Sequence, residues 1–224
     1  MNIPILIPVY NEQSTIGELV RRCIAYANKV YVVDDGSEDR SGEIARREGA
    51  IVIRHRRNKG KGAALRKGLE KILCEQIEAV IMMDGDGQHD PSEIPRFIQK
   101  FKEEGADIVL GNRTNRRVMP LIRRLTNKFM SLAISWMTGQ NLPDTQCGFR
   151  LVRDRVLRDI DLKACNFEIE SEMLIKGAQK GYKIVSVPIS TIYHQQRSKI
   201  KPFIDTYRFL KLIASHIRKE MFFV

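Results

Sequence analysis

Asp84-Gly85-Asp86-Gly87-Gln88-His89 follows the apolar run Val80-Ile81-Met82-Met83, so oxygen ligands collect where a strand runs out. Alternate side chains of an extended segment share a face, which lets Asp84, Asp86 and Gln88 converge on one ion. Carboxylate and amide oxygens are hard donors suited to Mg²⁺ or Mn²⁺ rather than zinc, and they can hold such an ion against a diphosphate. Two carboxylates this close after a buried strand repel one another unless a cation lies between them. Asp90 reads differently. In Asp90-Pro91-Ser92-Glu93 an N-cap residue precedes a proline at the first helical position, and a glutamate sits three residues past the cap, which together start a helix.

The elements that must position this loop are legible as alternation. Apolar runs of strand length recur at Ile3–Val9, Val30–Val33, Ile51–Ile53, Ala79–Met83 and Asp107–Leu110. Helix-period segments at Thr15–Ala27, Ser41–Glu48, Gly62–Glu75 and Pro91–Glu104 lie between them, with Thr15-Ile16-Gly17-Glu18 as a capping box. This is the pattern of an α/β fold with a mostly parallel sheet, in which ligands bind outside the carboxyl ends of the strands. Polar clusters fall at those ends: Tyr10-Asn11-Glu12, Asp34-Asp35-Gly36-Ser37, the Asp84 cluster and Gly111-Asn112-Arg113. They point to one site. The loop Asn58-Lys59-Gly60-Lys61-Gly62 precedes a helix, so its amides and lysines can approach a phosphate there, although it is neither a Walker loop nor G-x-G-x-x-G.

The 224 residues are enough for one substantial core, and a hydrophobic content of 43% agrees. Cys23, Cys74, Cys147 and Cys165 form no C-x-x-C pair, which favours a reducing, cytoplasmic setting. The N-terminal apolar run is too short for a signal core or a span. A formal net charge of +11 calls for an anionic partner, whether nucleic acid, membrane surface or phosphorylated substrate. Basic residues cluster in Arg54 to Lys71, Arg113 to Lys128 and Arg197 to Lys219, while the stretch between Ile72 and Asp107 is predominantly acidic. Aromatic residues are 7% of the chain and do not interleave with the basic runs, which argues against a nucleic-acid-binding module.

Beyond Arg113 the pattern becomes that of basic amphipathic helices. Ile122, Leu125, Phe129, Leu132, Ala133 and Trp136 share a face, with Arg124 and Lys128 on the other side. Near the C-terminus Pro202 can open a helix whose stripe is Phe203, Leu210, Ile213 and Ile217, beside Arg208, Lys211, Arg218 and Lys219. Both suit core packing or an interfacial position on a bilayer, and a peripheral place on the cytoplasmic face of a membrane is the expectation.

The ordered set Ile7-Pro8-Val9-Tyr10-Asn11-Glu12, Val33-Asp34-Asp35-Gly36-Ser37, Asn58-Lys59-Gly60-Lys61-Gly62, Asp84-Gly85-Asp86-Gly87-Gln88-His89, Gly111-Asn112-Arg113 and Asp144-Thr145-Gln146-Cys147-Gly148-Phe149-Arg150 resembles the family 2 glycosyltransferases. Within them it is most similar to the dolichol-phosphate and polyprenyl-phosphate sugar synthases, over nearly the whole chain. The resemblance implies a GT-A fold over residues 1–196, followed by a basic amphipathic segment over 197–224. It also implies a nucleotide-sugar donor such as GDP-mannose or UDP-glucose, and a polyprenyl or dolichyl phosphate acceptor. By it Pro8, Tyr10, Glu12, Val33 and Asp35 line the nucleoside pocket, Asp35 contacting the base. Gly85, Asp86, Gln88 and Arg113 complete the donor site, and Arg197 and Lys199 belong to a cationic loop that closes over the phosphates and excludes water.

The chemistry implied is inverting displacement at the anomeric carbon, with the metal at Asp84, Asp86 and Gln88 neutralising the departing diphosphate. Asp86 and Arg113 then act at the reacting groups. A phosphate acceptor is ionised near neutral pH and needs no strong base, whereas a sugar hydroxyl does, and Asp144 is the candidate. The alternative reading of Asp144 is a cap for the turn after Pro143. His89 and His194 are read as ligands or packing residues, the oxygen set sufficing without them. The alternatives are a family 2 transferase acting on a saccharide or small-molecule hydroxyl and, more distantly, a sugar-1-phosphate nucleotidyltransferase, whose Gly-rich N-terminal loop is missing.

Overall fold

The computed structural model describes residues 1–114, 121–190, 192 and 202–221. Its strands are β1 (Ile5–Val9), β2 (Val30–Asp34), β3 (Ile51–Arg54), β4 (Ala79–Met82), β5 (Ile108–Arg113), β6 (Arg150–Arg153) and β7 (Ile184–Ile189). Its helices are α1 (Ile16–Ile24), α2 (Ser41–Arg47), α3 (Lys61–Ile72), α4 (Ile94–Glu103), α5 (Leu121–Thr138), α6 (Asp154–Asp159), α7 (Ile169–Gln179) and α8 (Pro202–Met221). The strands form one sheet in the order β3-β2-β1-β4-β6-β5-β7. All neighbours pair in parallel except β6, which runs antiparallel to both β4 and β5. The mostly parallel sheet is therefore present, with one reversed strand that the periodicity does not announce.

Side chains alternate across the sheet and divide the core into two layers. Ile5, Ile7, Val9, Val30 and Val32 meet α1, α2 and α4 through Leu19, Ala45 and Phe97. Leu6, Tyr31 and Val33 meet the other layer, which includes Leu65 and Leu69 of α3, Ile134 of α5, Met173 of α7 and Phe209 of α8. Fully burying an aliphatic or aromatic side chain of this size contributes about 1.5–3 kcal/mol, so each layer holds the sheet firmly. Phe97 also stacks on Phe149 at a centroid distance of 4.2 Å.

Helix starts follow the sequence in part. Asp90 caps as expected, its Oδ1 accepting from the Ser92 amide at 2.9 Å, although the turn it opens is a 3₁₀ turn over Pro91–Glu93. The Thr15 capping box does not form. Thr15 Oγ1 instead donates to the Gly85 carbonyl at 2.7 Å, so a long-range bond to the aspartate loop takes the hydroxyl from its own helix.

The two basic helices also differ from expectation. In α5 the packed face is Met130, Ser131 and Ile134, and the expected stripe of Ile122, Leu125, Phe129, Leu132 and Trp136 faces outward. The helix is apolar on two sides. In α8 Phe209 is the buried anchor, while Leu210, expected in the stripe, is exposed. The side chains of Phe203 and Ile217 and the boundary between residues 196 and 197 lie outside the described residues.

Candidate active site

The crevice opens where β1 and β4 part. Between these strands the Met83 amide bonds to the Leu6 carbonyl, and β4 then ends, so the next β1 position facing β4 is Pro8. A proline lacks an N–H and would break a central ladder, but here no partner strand remains to receive one. β1 is followed by the crossover to β2 on one side, and β4 lies on the other, which makes this the topological switch point where α/β sheets bind ligands.

Asp84 leaves β4 at that point. Its Oδ1 lies 2.5 Å from Nζ of Lys61, at the first position of α3, and the same ammonium lies 2.5 Å from Oε1 of Glu170 on α7. Burial opposes ionisation of Asp84, but the Lys61 charge and hydrogen bond outweigh it and hold the carboxyl at about 2. Burial likewise opposes the charge on Lys61, and the carboxylates of Asp84 and Glu170 prevail, raising its pKa. Gly148 is what allows Asp84 to sit here, because a Cβ at that position would stand 2.5 Å from both carboxylate oxygens.

Asp86 is in a different state. Its Oδ1 accepts from the Gln88 amide at 3.0 Å, and no lysine or arginine among the described residues pairs with it. Burial first, and then the neighbouring Asp84 charge, push its pKa up. A half-buried carboxylate with uncompensated charge beside a second one is what a divalent cation relieves. The described residues hold no group of three or more His, Cys, Asp or Glu placed to cage a metal. Mg²⁺ does not require one, since one or two carboxylates with substrate phosphates and water complete its shell. Asp84, Asp86 and Gln88 therefore fit the ion expected of them in chemistry. His89 is not oriented as a ligand: its Nδ1 accepts from the Asp84 amide at 3.2 Å, its ring lies 5.3 Å from that of Phe149, and burial lowers its pKa. It packs and supports the loop.

Asp35 is buried and already employed. Oδ1 meets His55 Nδ1 at 2.7 Å and accepts from the Lys59 amide at 3.0 Å, and Oδ2 accepts from the Gly60 amide at 2.8 Å. The amides of the 58–62 loop thus bind a carboxylate of the protein itself, and the loop's lysine at 61 goes to Asp84. Gly60 has φ 95°, a left-handed backbone that suits glycine and lets the chain turn over Asp35. Val33 is a correction: it pairs in register with Pro8 and shares its face of the sheet, but α3 covers it completely, so it offers no side chain to a nucleoside.

Arg113 and Asp144 are also placed otherwise than expected. They form a buried two-pronged pair, Nε–Oδ2 2.7 Å and Nη2–Oδ1 2.8 Å, and the Arg113 amide donates to Oδ2 at 3.2 Å. A carboxylate with both oxygens on a guanidinium is a poor proton acceptor, so Asp144 is built to hold Arg113 rather than to deprotonate an acceptor. The Arg113 charge still reaches the site, where it favours ionised Asp84. Arg197, Lys199 and His194 lie outside the described residues.

A cavity of 720 Å³ gathers Pro8, Tyr10, Glu12, Asp35, Lys61, Asp84, Gly85, Asp86 and Gln88. Its walls also include Asn166 and Phe167 before α7, Arg123 of α5, and Ile204, Asp205 and Arg208 of α8. These wall residues were not singled out as site residues from the sequence, and neither was Glu170. The alternation Glu168-Ile169-Glu170-Ser171-Glu172 in a helix that packs on the core was the available signal for Glu170.

The open α/β sandwich with its switch-point crevice and paired aspartates after β4 is of the GT-A type. Residues 5–161 match the model of the glycosyl transferase family 2, and the chain belongs to that family. It is 30% identical to the dolichyl-phosphate hexose transferase of Haloferax volcanii over 90% of this chain and 88% of that one. It is 32% identical to the dolichol-phosphate mannosyltransferase of Pyrococcus furiosus over 90% of this chain and 60% of that protein. Among solved structures, glucosyl-3-phosphoglycerate synthase from Mycobacterium tuberculosis in complex with uridine-diphosphate aligns over 96% of this chain and 79% of that one, with TM-score 0.79 and 20% identity. That likeness is one of fold.

Proposed function

We propose that this glycosyltransferase moves a hexose from a nucleotide diphosphate sugar, GDP-mannose or UDP-glucose, onto a polyprenyl or dolichyl phosphate at a membrane surface, with Mg²⁺ or Mn²⁺ bound at Asp84, Asp86 and Gln88. One observation carries the reading. The cavity that contains the aspartate loop is also walled by Arg123, Ile204 and Arg208, from the two helices that expose apolar side chains. An acceptor with an anionic head and an apolar tail matches such a wall, the arginines meeting phosphate and the helix faces meeting lipid. The named activities of the Haloferax and Pyrococcus relatives support the same acceptor class.

In this reading Pro8 and Tyr10 offer an apolar surface to the nucleoside, and Glu12 and Asp35 accept from base or ribose. At Gly85 a Cβ would stand 2.6 Å from Val9 Cγ1, so the glycine lets the aspartate loop pack closely on β1. A bound divalent ion supplies Lewis-acid stabilisation of the leaving diphosphate. The acceptor phosphate oxygen forms a bond to the anomeric carbon as the bond to the donor diphosphate breaks, with inversion. No protein base is needed, which agrees with Asp144 being committed to Arg113. Positioning and cationic stabilisation carry the rate.

The test is transfer from labelled GDP-mannose and UDP-glucose to polyprenyl phosphate in vesicles, with Mn²⁺ or EDTA. A lipid-linked, metal-dependent product from one donor is expected, and Asp86→Asn is expected to abolish it with the fold intact. Full activity on a soluble acceptor without vesicle binding would overturn the lipid assignment.

A further inference from the structure

Beside the cavity, one cation serves two carboxylates of different standing. Asp84 lines the cavity, whereas Glu170, only 5% exposed at its side chain, lies behind it, and Lys61 Nζ is 2.5 Å from each. Lys61 itself is 13% exposed, and its ammonium is 5.5 Å from the centroid of the Phe167 ring, which lines the same cavity. The cluster is anchored from three elements, so the ammonium is fixed rather than swinging in solvent. Arg150 donates to the Glu170 carbonyl at 3.0 Å and to the Cys147 carbonyl at 2.6 Å, fixing the backbone on either side of it.

We propose that Lys61 makes divalent-metal binding conditional on the nucleotide diphosphate. This rests on the metal-and-diphosphate reading above. A metal ion that uses Asp84 and Asp86 must share Asp84 with an ammonium already bonded to it, and like charges so close in a partly buried site repel strongly. Metal alone is therefore disfavoured. A diphosphate that arrives with the ion brings negative charge to both cations, and the repulsion becomes attraction. Metal and nucleotide then bind with positive coupling, which is reciprocal. Glu170 sets the strength of the effect by drawing the ammonium away from Asp84. Lys61 acts through Asp84 and is in this sense a positioning residue.

The experiment measures Mn²⁺ binding to the full chain by electron paramagnetic resonance, with and without saturating GDP or UDP. Wild type is expected to bind the free ion weakly and to bind it far better with one nucleotide. Lys61→Met is expected to bind Mn²⁺ alone at least about tenfold more tightly, and the enhancement by nucleotide is expected to shrink by a similar factor. Glu170→Gln leaves the ammonium wholly to Asp84 and is expected to move the other way, weakening binding of the free ion; Lys61→Arg keeps the wild-type pattern. A lysine that merely stabilised the fold would lower both affinities together and leave their ratio unchanged. An equal nucleotide enhancement in wild type and Lys61→Met overturns the inference and leaves the proposed function standing. Should Lys61→Met not fold, Glu170→Gln decides alone, and unchanged or tighter binding of the free ion overturns the inference. If wild type takes up no Mn²⁺ with either nucleotide, the reading of the site falls, and the inference falls with it.

Discussion

The Arg113–Asp144 pair makes the clearest energetic statement in the molecule. Both side chains are nearly fully buried, at 7% and 2% exposure, and each answers the other's charge. Removing one partner of a buried pair of this kind costs about 3–5 kcal/mol. Asp144→Ala is therefore expected to lower stability by that amount in urea titration; a loss below about 1 kcal/mol would show that water reaches Arg113. The cysteines give a second test at this scale. Burial pushes the thiols of Cys23 and Cys147 up to about 12, while Cys74 and Cys165 are exposed. The thiolate is the reactive form, so a thiol reagent at neutral pH is expected to titrate two groups in the native protein and four after denaturation. Reaction of four in the native state would contradict the packing around β6 and α1.

Helix α5 illustrates how an element serves two surfaces. Its inner face is pinned by Met130 and Ile134, with Ser131 Oγ within 3.2 Å of Thr145 Oγ1, and its outer face leaves Ile122 71% and Trp136 80% exposed. Such a face beside basic residues is expected to lie in the boundary between lipid head groups and acyl chains. Replacing Leu125 and Trp136 by Gln is expected to change stability by less than about 0.5 kcal/mol per site, since neither side chain packs in the core. Trp136 is the single tryptophan, so the wild-type protein is expected to show a vesicle-induced blue shift of its fluorescence, and the double replacement is expected to abolish co-sedimentation with vesicles; undiminished co-sedimentation would remove α5 from the interface. Helix α1 gives a contrasting case. Thr15→Val removes the bond to the Gly85 carbonyl, a loss of about 1 kcal/mol. Because that bond holds the aspartate loop, Mn²⁺ affinity in the presence of nucleotide is expected to fall more than stability does.

At the scale of the whole molecule, the cavity unites the carboxyl ends of β1 and β4 with the start of α3, the segment before α7, and helices α5 and α8. No helix among the described residues is long and apolar enough to cross a membrane. On the proposed reading the contact is made at the membrane surface, helped by the net charge of +11. Each basic residue near an anionic surface contributes on the order of 1 kcal/mol, and salt screens that attraction. Sedimentation with anionic vesicles is expected to weaken steeply as salt rises, while a salt-resistant fraction reports the apolar face of α5. Binding indifferent to both lipid charge and salt would count against the arrangement.

The sequence by itself determined the fold class and the edge of the sheet where the cavity lies. Strand ends were legible to within a residue, Val9, Val33 and Met83 from the sequence against Val9, Asp34 and Met82 in the structure, because buried parallel strands are short apolar runs, and the polar residues just past them had to share one edge of the sheet. Asp84, Asp86, Gln88 and Asp35 were placed at that edge for this reason, and Pro8 by the family resemblance; all five line the one cavity. Only the tertiary structure decided what each charge faces. Lys61 and Glu170 are 109 residues apart in the chain, Arg113 and Asp144 are 31 apart, and nothing in local periodicity links either pair. The antiparallel β6 was hidden by its arginines, yet Arg150 is buried because backbone carbonyls of distant loops receive its guanidinium. The outward turn of α5 was equally undecidable, since a helix apolar on two sides takes its orientation from the sheet it packs on. Pairing of charges and choice of helix face are long-range packing outcomes, fixed only when the whole core closes.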